Sequence, residues 1–208
     1  QISLYNNDQE KRNIEYLNIQ DEGGTNEIIT KVTSKIFNQL NEINSISRTN
    51  IPISELTVAL QCGGSDSYSG ITANPALGFA SDMIIDHGGT TLLSETPEIY
   101  GAEHLLFEKS LNEKNIEKLN KQIEWWKKYL ASNDSTLDNN PSPGNKKGGL
   151  TTILEKSLGA VSKAGNRNMV DVLDYAEQVK TKGFNFMNSP GYDPVSVTGQ
   201  VASGANVI

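Results

Sequence analysis

The chain has 208 residues, 36% of them hydrophobic, and at this size folding removes roughly 70% of the unfolded surface from water, so a substantial core is possible. Its 18 basic and 25 acidic residues leave a net charge of −7, which argues against a nucleic-acid surface, and no apolar run is long enough to span a bilayer. A single cysteine, Cys62, excludes an internal disulfide and is compatible with a reducing compartment.

The chain opens at Gln1 and stops at Val207-Ile208, inside what reads as a strand, so it is expected to be a piece of a longer protein. Residues 1–21 are polar and mixed, with a short apolar alternation at Ile14, Tyr16 and Leu17 to Ile19. From Thr25 onward Ile28, Ile29, Val32, Ile36, Leu40 and Ile43 recur at helical spacing, which predicts an amphipathic helix. Residues 1–54 are therefore taken as a preceding segment and residues 55–208 as the main domain.

Within that domain Leu56 to Leu60 is a short apolar run with the character of a buried strand, followed by the polar turn Gly63-Gly64-Ser65-Asp66-Ser67. Asn74-Pro75 reads as a helix start, with Asn74 as the cap and Pro75 at the first helical position. Leu77, Ala80, Met83 and Ile84 are expected to line its inner side, and His87-Gly88-Gly89 to end it. Thr90 to Glu95 reads as a second buried strand, giving a parallel βαβ unit and an α/β fold. In such sheets ligands sit at the carboxyl ends of the strands.

Helices are predicted over Ala102–Lys109 and Asn112–Leu130, the second with Leu119, Ile123, Trp126 and Leu130 on one face. A long polar loop, residues 131–149, ends with Lys146 and Lys147 just before a helix whose Ile153, Leu154, Leu158 and Val161 are expected to point inward. Val170 to Val179 reads as a short helix or an irregular crossover, Phe184 to Asn188 as a strand, Pro194 to Gly204 as a helix, and Asn206 as the start of a last strand.

The turn after Leu60 lacks the closing glycine of a nucleophile elbow, no glycine-rich loop has P-loop or dinucleotide spacing, and there is no paired-cysteine zinc site. Between Leu56 and Gly101 stand five acids (Asp66, Asp82, Asp86, Glu95, Glu98) and no Lys or Arg, a local excess that suits a cation. Cys62 ends the first strand, where a thiol is ordinarily a small core group; the alternative is a metal ligand, with Asp66 nearby and Glu95 at the end of the next strand. Ser65, Ser67, Ser69, Thr72 and Asn74 either satisfy loop backbone or meet a row of substrate hydroxyls. Lys146 and Lys147 are either solvated or positioned to hold a carboxylate or act as a base. His87 reads as a cap, His104 as structural, and Trp125 and Trp126 as core and interface residues.

Three stretches together resemble the altronate/galactarate dehydratase family: Gln61-Cys62-Gly63-Gly64-Ser65-Asp66 with Ser69 to Ala76 and then Ser94-Glu95-Thr96; Pro143 to Thr152 with Glu155-Lys156; and Asn188 to Asn206, which looks like the altronate branch. The resemblance implies a cytoplasmic hydro-lyase of hexuronate breakdown, dehydrating D-altronate to 2-keto-3-deoxy-D-gluconate with Fe(II) or Mn(II). It also implies a Rossmann-like three-layer α/β/α domain with a mainly parallel sheet, incomplete at its C-terminus. The whole protein would be a homo-oligomer, a dimer, with a small-molecule sugar acid as its partner and neither nucleic acid nor membrane. On this reading Cys62 and Glu95 are metal ligands, with Asp66 beside them. Ser65, Ser69, Thr72, Asn74 and Asn145 face substrate hydroxyls, and Lys146, Lys147 or Asp66 take the catalytic roles. Galactarate or sulfolactate is the rival substrate, and a non-catalytic sugar-acid-binding or dimerisation module the rival class. The piece alone is expected to turn over weakly or not at all.

Overall fold

A computed structural model describes residues 16–208; Ile14 lies outside them. The described residues divide into two compact units, the first ending at Asn50 and the second spanning Ile51–Ile208. In the first, helix α1 (Thr25–Ser45) forms where the periodicity places it, and none of its residues is buried: Ile29, Ile36 and Ile43 are all exposed. Tyr16 to Ile19 form no strand.

The second unit is an open α/β fold. Its strands are β1 (Thr57–Leu60), β2 (Thr90–Leu93), β3 (Met169–Leu173) and β4 (Phe184–Met187). They run in the order β1-β2-β4-β3 with every pairing parallel. Val207 adds a parallel bridge to Val58 on the free side of β1, where the last strand is expected to begin. The helices are α2 (Ala73–Asp86), α3 (His104–Glu108), α4 (Glu113–Ala131), α5 (Pro143–Lys147), α6 (Ile153–Ser162) and α7 (Asp193–Ala202). Leu60, Leu93, Phe184 and Phe186 pack with Leu106, Leu119, Ile123 and Val161 from α3, α4 and α6 in the main core. Leu92, Leu173 and Met187 form a smaller cluster, and Ser203, just past α7, donates to the Met187 sulfur at 3.1 Å. The period-2 alternation of the strands thus feeds two cores.

Several local expectations are corrected. Val170 to Val179 contains neither helix nor plain crossover but strand β3, paired with β4 across a register shift between Met169 and Asp171. Asn74 does not cap α2: the helix begins at Ala73, Thr72 holds the cap position, and the Asn74 amide donates to the Gly159 carbonyl at 3.0 Å. Lys146 and Lys147 do not lie in an open turn but in the last turn of α5, whose Ser142–Asn145 capping box closes its start.

Helices α2 and α6 are both rotated from the expected faces. The buried residues of α2 are Gly78, Ser81 and Asp82, whereas Ala80 and Met83 are exposed. On α6, Leu154 and Leu158 are exposed, while Lys156, Ser157 and Ala160 are buried beside Ile153 and Val161. The cause is close packing through small residues. A Cβ on Gly78 would lie 2.2 Å from the Ser162 carbonyl oxygen, and one on Gly159 would lie 3.1 Å from the Gly70 Cα. Asp82 then accepts from the Asn166 and Arg167 backbone N–H groups at 2.7 and 3.1 Å, and Ser81 donates to Thr91 at 3.0 Å. Gly78→Ala is expected to lower the unfolding free energy by about 2–3 kcal/mol, overpacking outweighing the helix-propensity gain of Ala; an unchanged denaturation midpoint would contradict this packing.

Candidate active site

Strands β1 and β2 end side by side, with Leu60 opposite Leu93. The segments that follow therefore meet, and the Cys62 backbone N–H donates to Glu95 Oε2 at 3.2 Å. Glu95 adopts φ 72°, ψ 62°, the left-handed region that a non-glycine residue seldom enters. Such a conformation costs on the order of 1–3 kcal/mol and persists only where its surroundings enforce it. Here Ser189 does so: its Oγ accepts from the Glu95 N–H at 2.8 Å and its carbonyl from the Thr96 N–H at 3.0 Å. A hydroxyl chain continues behind, with Ser196 Oγ 3.0 Å from Ser189 Oγ and 2.6 Å from Ser94 Oγ.

The kink at Glu95 leads into a 3₁₀ turn, Thr96–Ile99, that carries Glu98 into the same buried region. Two lysines meet these two acids. Lys156 Nζ lies 2.7 Å from Glu98 Oε1, and Lys163 Nζ 3.8 Å from Glu95 Oε2, with all four side chains at most 6% exposed. The lysines are seven residues apart on and just beyond α6, hence on one helix face. Lys156 also donates to Asn140 Oδ1 and Asn145 Oδ1, each at 3.0 Å. The acidic excess of residues 56–101 is thus offset by cations from a distant helix.

Both acids keep one buried oxygen, Glu95 Oε1 and Glu98 Oε2, without a hydrogen-bond partner. Burial, reinforced by Glu98 and opposed by Lys163, pushes the Glu95 carboxyl up to about 8, well above the ordinary carboxylate range, which favours its protonated form. Burial likewise raises the Cys62 thiol, against the lowering effect of its 2.8 Å hydrogen bond to Ser65 Oγ.

Two cavities open onto this cluster. One, of about 550 Å³, is lined among others by Cys62, Glu98, Trp126, Asn145, Lys156 and Asp193. The other, of about 310 Å³, is lined by Ser65, Asp66, Ser69, Asn74 and Lys156. Of the residues singled out from sequence, Cys62 and Asn145 line the first chamber and Ser65, Asp66, Ser69 and Asn74 the second, while Glu95 is buried behind them and lines neither. Asp66 Oδ1 accepts from the Tyr68 and Ser69 backbone and from Ser69 Oγ, which holds its carboxyl below the ordinary range. Asn145 joins the α5 loop to the Cys62 loop, its amide donating to the Ser65 carbonyl at 2.9 Å. Thr72 is exposed and donates to the Tyr68 carbonyl. Lys146 and Lys147 are exposed and line neither chamber.

Sequence reasoning missed Lys156, Lys163 and Asn140, and counted Glu98 only as one acid among five. A signal existed for the lysines: on the 3.6-residue period Lys156 and Lys163 share the face of Ile153 and Ala160, where an ion seldom sits unpaired. His87 caps α2 as expected, its Nδ1 2.8 Å from the Met83 carbonyl. Trp126 is half-buried, donates to Asn188 Oδ1 at 2.9 Å and lines the larger cavity, while Trp125 is exposed.

Cys62 and Glu95 stand together as two soft-to-hard donors, but among the described residues no group of three or more His, Cys, Asp or Glu side chains is arranged to hold a metal ion. No helix among the described residues is long and apolar enough to cross a membrane.

Ligands of parallel α/β domains sit at the strand ends, and buried acids paired with lysines there are an arrangement that functional sites share with structural ion-pair networks. Residues 53–208 match the family model described as D-galactarate/altronate dehydratase, C-terminal, and the chain belongs to that family of sugar-acid dehydratases. It is 47% identical over 156 residues to the altronate dehydratase of Escherichia coli (strain K12), covering 75% of this chain and 32% of the relative. Against the altronate dehydratase of Bacillus subtilis (strain 168) the identity is 45% over 161 residues, 77% of this chain and 32% of the relative. The galactarate dehydratase (L-threo-forming) of Escherichia coli (strain K12) is 39% identical over 193 residues, 92% of this chain and 37% of the relative. The chain thus spans 32% of the length of the two altronate dehydratases.

Proposed function

We propose that the full-length protein is a hydro-lyase that dehydrates D-altronate to 2-dehydro-3-deoxy-D-gluconate in the cytoplasm, as part of hexuronate breakdown. The observation that carries this reading is the Cys62–Glu95–Glu98 cluster, with its two buried lysines, in a chain 45–47% identical to altronate dehydratases and 39% identical to a galactarate dehydratase. Dehydration of a 2,3-dihydroxy acid passes the proton beside the carboxylate to a base, the C–H electron pair forms the double bond, and the neighbouring hydroxyl leaves as water on taking a second proton from an acid. Expulsion needs a proton donor, and Glu95, its carboxyl pushed up to about 8, is the group proposed for that role. Lys163 stabilises the carboxylate left behind, and Ser189 and the Cys62 N–H keep Glu95 in place.

Fe(II) or Mn(II) would supply Lewis-acid stabilisation of the enediolate. Cys62 and Glu95 are the residues to hold one edge of such an ion, the remaining ligands coming from outside the described residues. Metal binding there releases the Glu95 and Cys62 protons, so proton donor and ligand are alternative roles for Glu95. Metal analysis of full-length Cys62→Ala decides between them: loss of most bound metal is expected if the pair ligates, and unchanged content removes Cys62 from the ligand set. The substrate is tested by incubating the full-length protein with D-altronate, galactarate and sulfolactate separately. Product from D-altronate at a kcat/KM at least tenfold above the others is expected; a preference for another acid overturns the substrate assignment, and no product from any overturns the enzyme reading.

A further inference from the structure

We infer that Glu98 is a specificity-determining residue whose Oε2 accepts a hydrogen bond from a hydroxyl of the bound ligand. The inference rests on the proposed sugar-acid dehydratase reading and takes the larger cavity, lined by Cys62 and Glu98, as the place of the polyhydroxy acid. Glu98 is held through one oxygen alone: Oε1 accepts from Lys156 Nζ at 2.7 Å and from Asn140 Nδ2 at 3.3 Å. Oε2 is buried without a partner, and Glu98 is among the residues lining the 550 Å³ cavity. The neighbouring amides are already committed. Asn140 Oδ1 and Asn145 Oδ1 both accept from Lys156, and Asn145 Nδ2 donates to the Ser65 carbonyl.

An unpartnered buried carboxylate oxygen is costly, and a donor arriving with a ligand removes that cost. A hydroxyl of the ligand brings the proton that Oε2 can accept and an ionised carboxylate brings none, so Glu98 selects a hydroxyl at this wall. The wall is kept open by Gly191, where a Cβ would stand 3.2 Å from Glu98 Cγ. A site built around such an acceptor discriminates strongly against a ligand lacking the matching hydroxyl.

The test is a double-mutant cycle on the full-length protein, with equilibrium binding of D-altronate and its singly deoxygenated analogues read by tryptophan fluorescence. In the unaltered protein one analogue is expected to bind about 10- to 100-fold more weakly than the parent. In Glu98→Gln, which keeps an oxygen for Lys156, that penalty is expected to fall to less than about threefold while the other analogues keep theirs. Unchanged penalties for every analogue overturn the inference and leave Glu98 only as the partner of Lys156. If Glu98→Gln fails to fold, Glu98→Asp is read by the same cycle. Absence of binding by the parent acid to the unaltered protein instead sinks the polyhydroxy-acid reading itself.

Discussion

Replacing Lys156 by Met is expected to lower the unfolding free energy of the protein by about 3–5 kcal/mol. One ammonium serves three acceptors, Glu98 Oε1, Asn140 Oδ1 and Asn145 Oδ1, and both members of the ion pair are nearly inaccessible to water. Taking away the cation strands a buried carboxylate, and that penalty exceeds what the pair contributes over an apolar replacement. The double variant Lys156→Met, Glu98→Gln should therefore recover most of the loss, because no charge is left unpaired. The exposed pair Arg167–Asp86, though it is bidentate, should cost far less on removal, because water screens it. Urea denaturation of the three variants checks this ordering. A Lys156→Met loss no larger than that of the Arg167 variant would contradict the buried network.

The second large effect is one of pH. The Glu95 carboxyl lies at about 8 in the folded chain against an ordinary value of 4.5. The folded state thus binds the extra proton between those limits, and the stability associated with Glu95 is complete below pH 4.5 and declines as pH rises to about 8. In metal-free protein the decline should reach up to about 4 kcal/mol. Glu95→Gln mimics the protonated form and should remove that slope, leaving the variant more stable than the unaltered protein above pH 8. Denaturation at pH 5, 7 and 9 in the presence of a chelator measures the difference, since a bound cation would reverse the local charge balance. Parallel stability curves for the two proteins would contradict a proton on Glu95.

Much of the site's scaffold was legible in the sequence. The apolar runs before Cys62 and Glu95 are short, each leads into a polar turn, and a single helix joins them, so their parallel pairing and adjacent ends follow from chain connectivity. What the sequence hid depends on helix rotation and on residues far apart in the chain. Leu154 and Leu158 advertise an apolar face, yet Gly78, Gly159 and Ser157 allow a closer approach on the other side, which turns Lys156 inward. Strand β3 escaped notice because Asp171 interrupts its apolar run at the register shift, where the pairing can absorb it. Lys146 and Lys147 drew attention by standing in a glycine-rich stretch, but α5 closes on itself through its capping box and leaves both exposed.

The proposed chemistry of a sugar-acid dehydratase rests on Glu95 and Glu98, both just past the end of β2. It is tested most directly by following formation of 2-dehydro-3-deoxy-D-gluconate from D-altronate by full-length protein and its Glu95→Gln variant at pH 7. Product is expected from the unaltered protein, with a kcat at least about 100-fold lower in the variant and the fold retained. Equal turnover by both would contradict it.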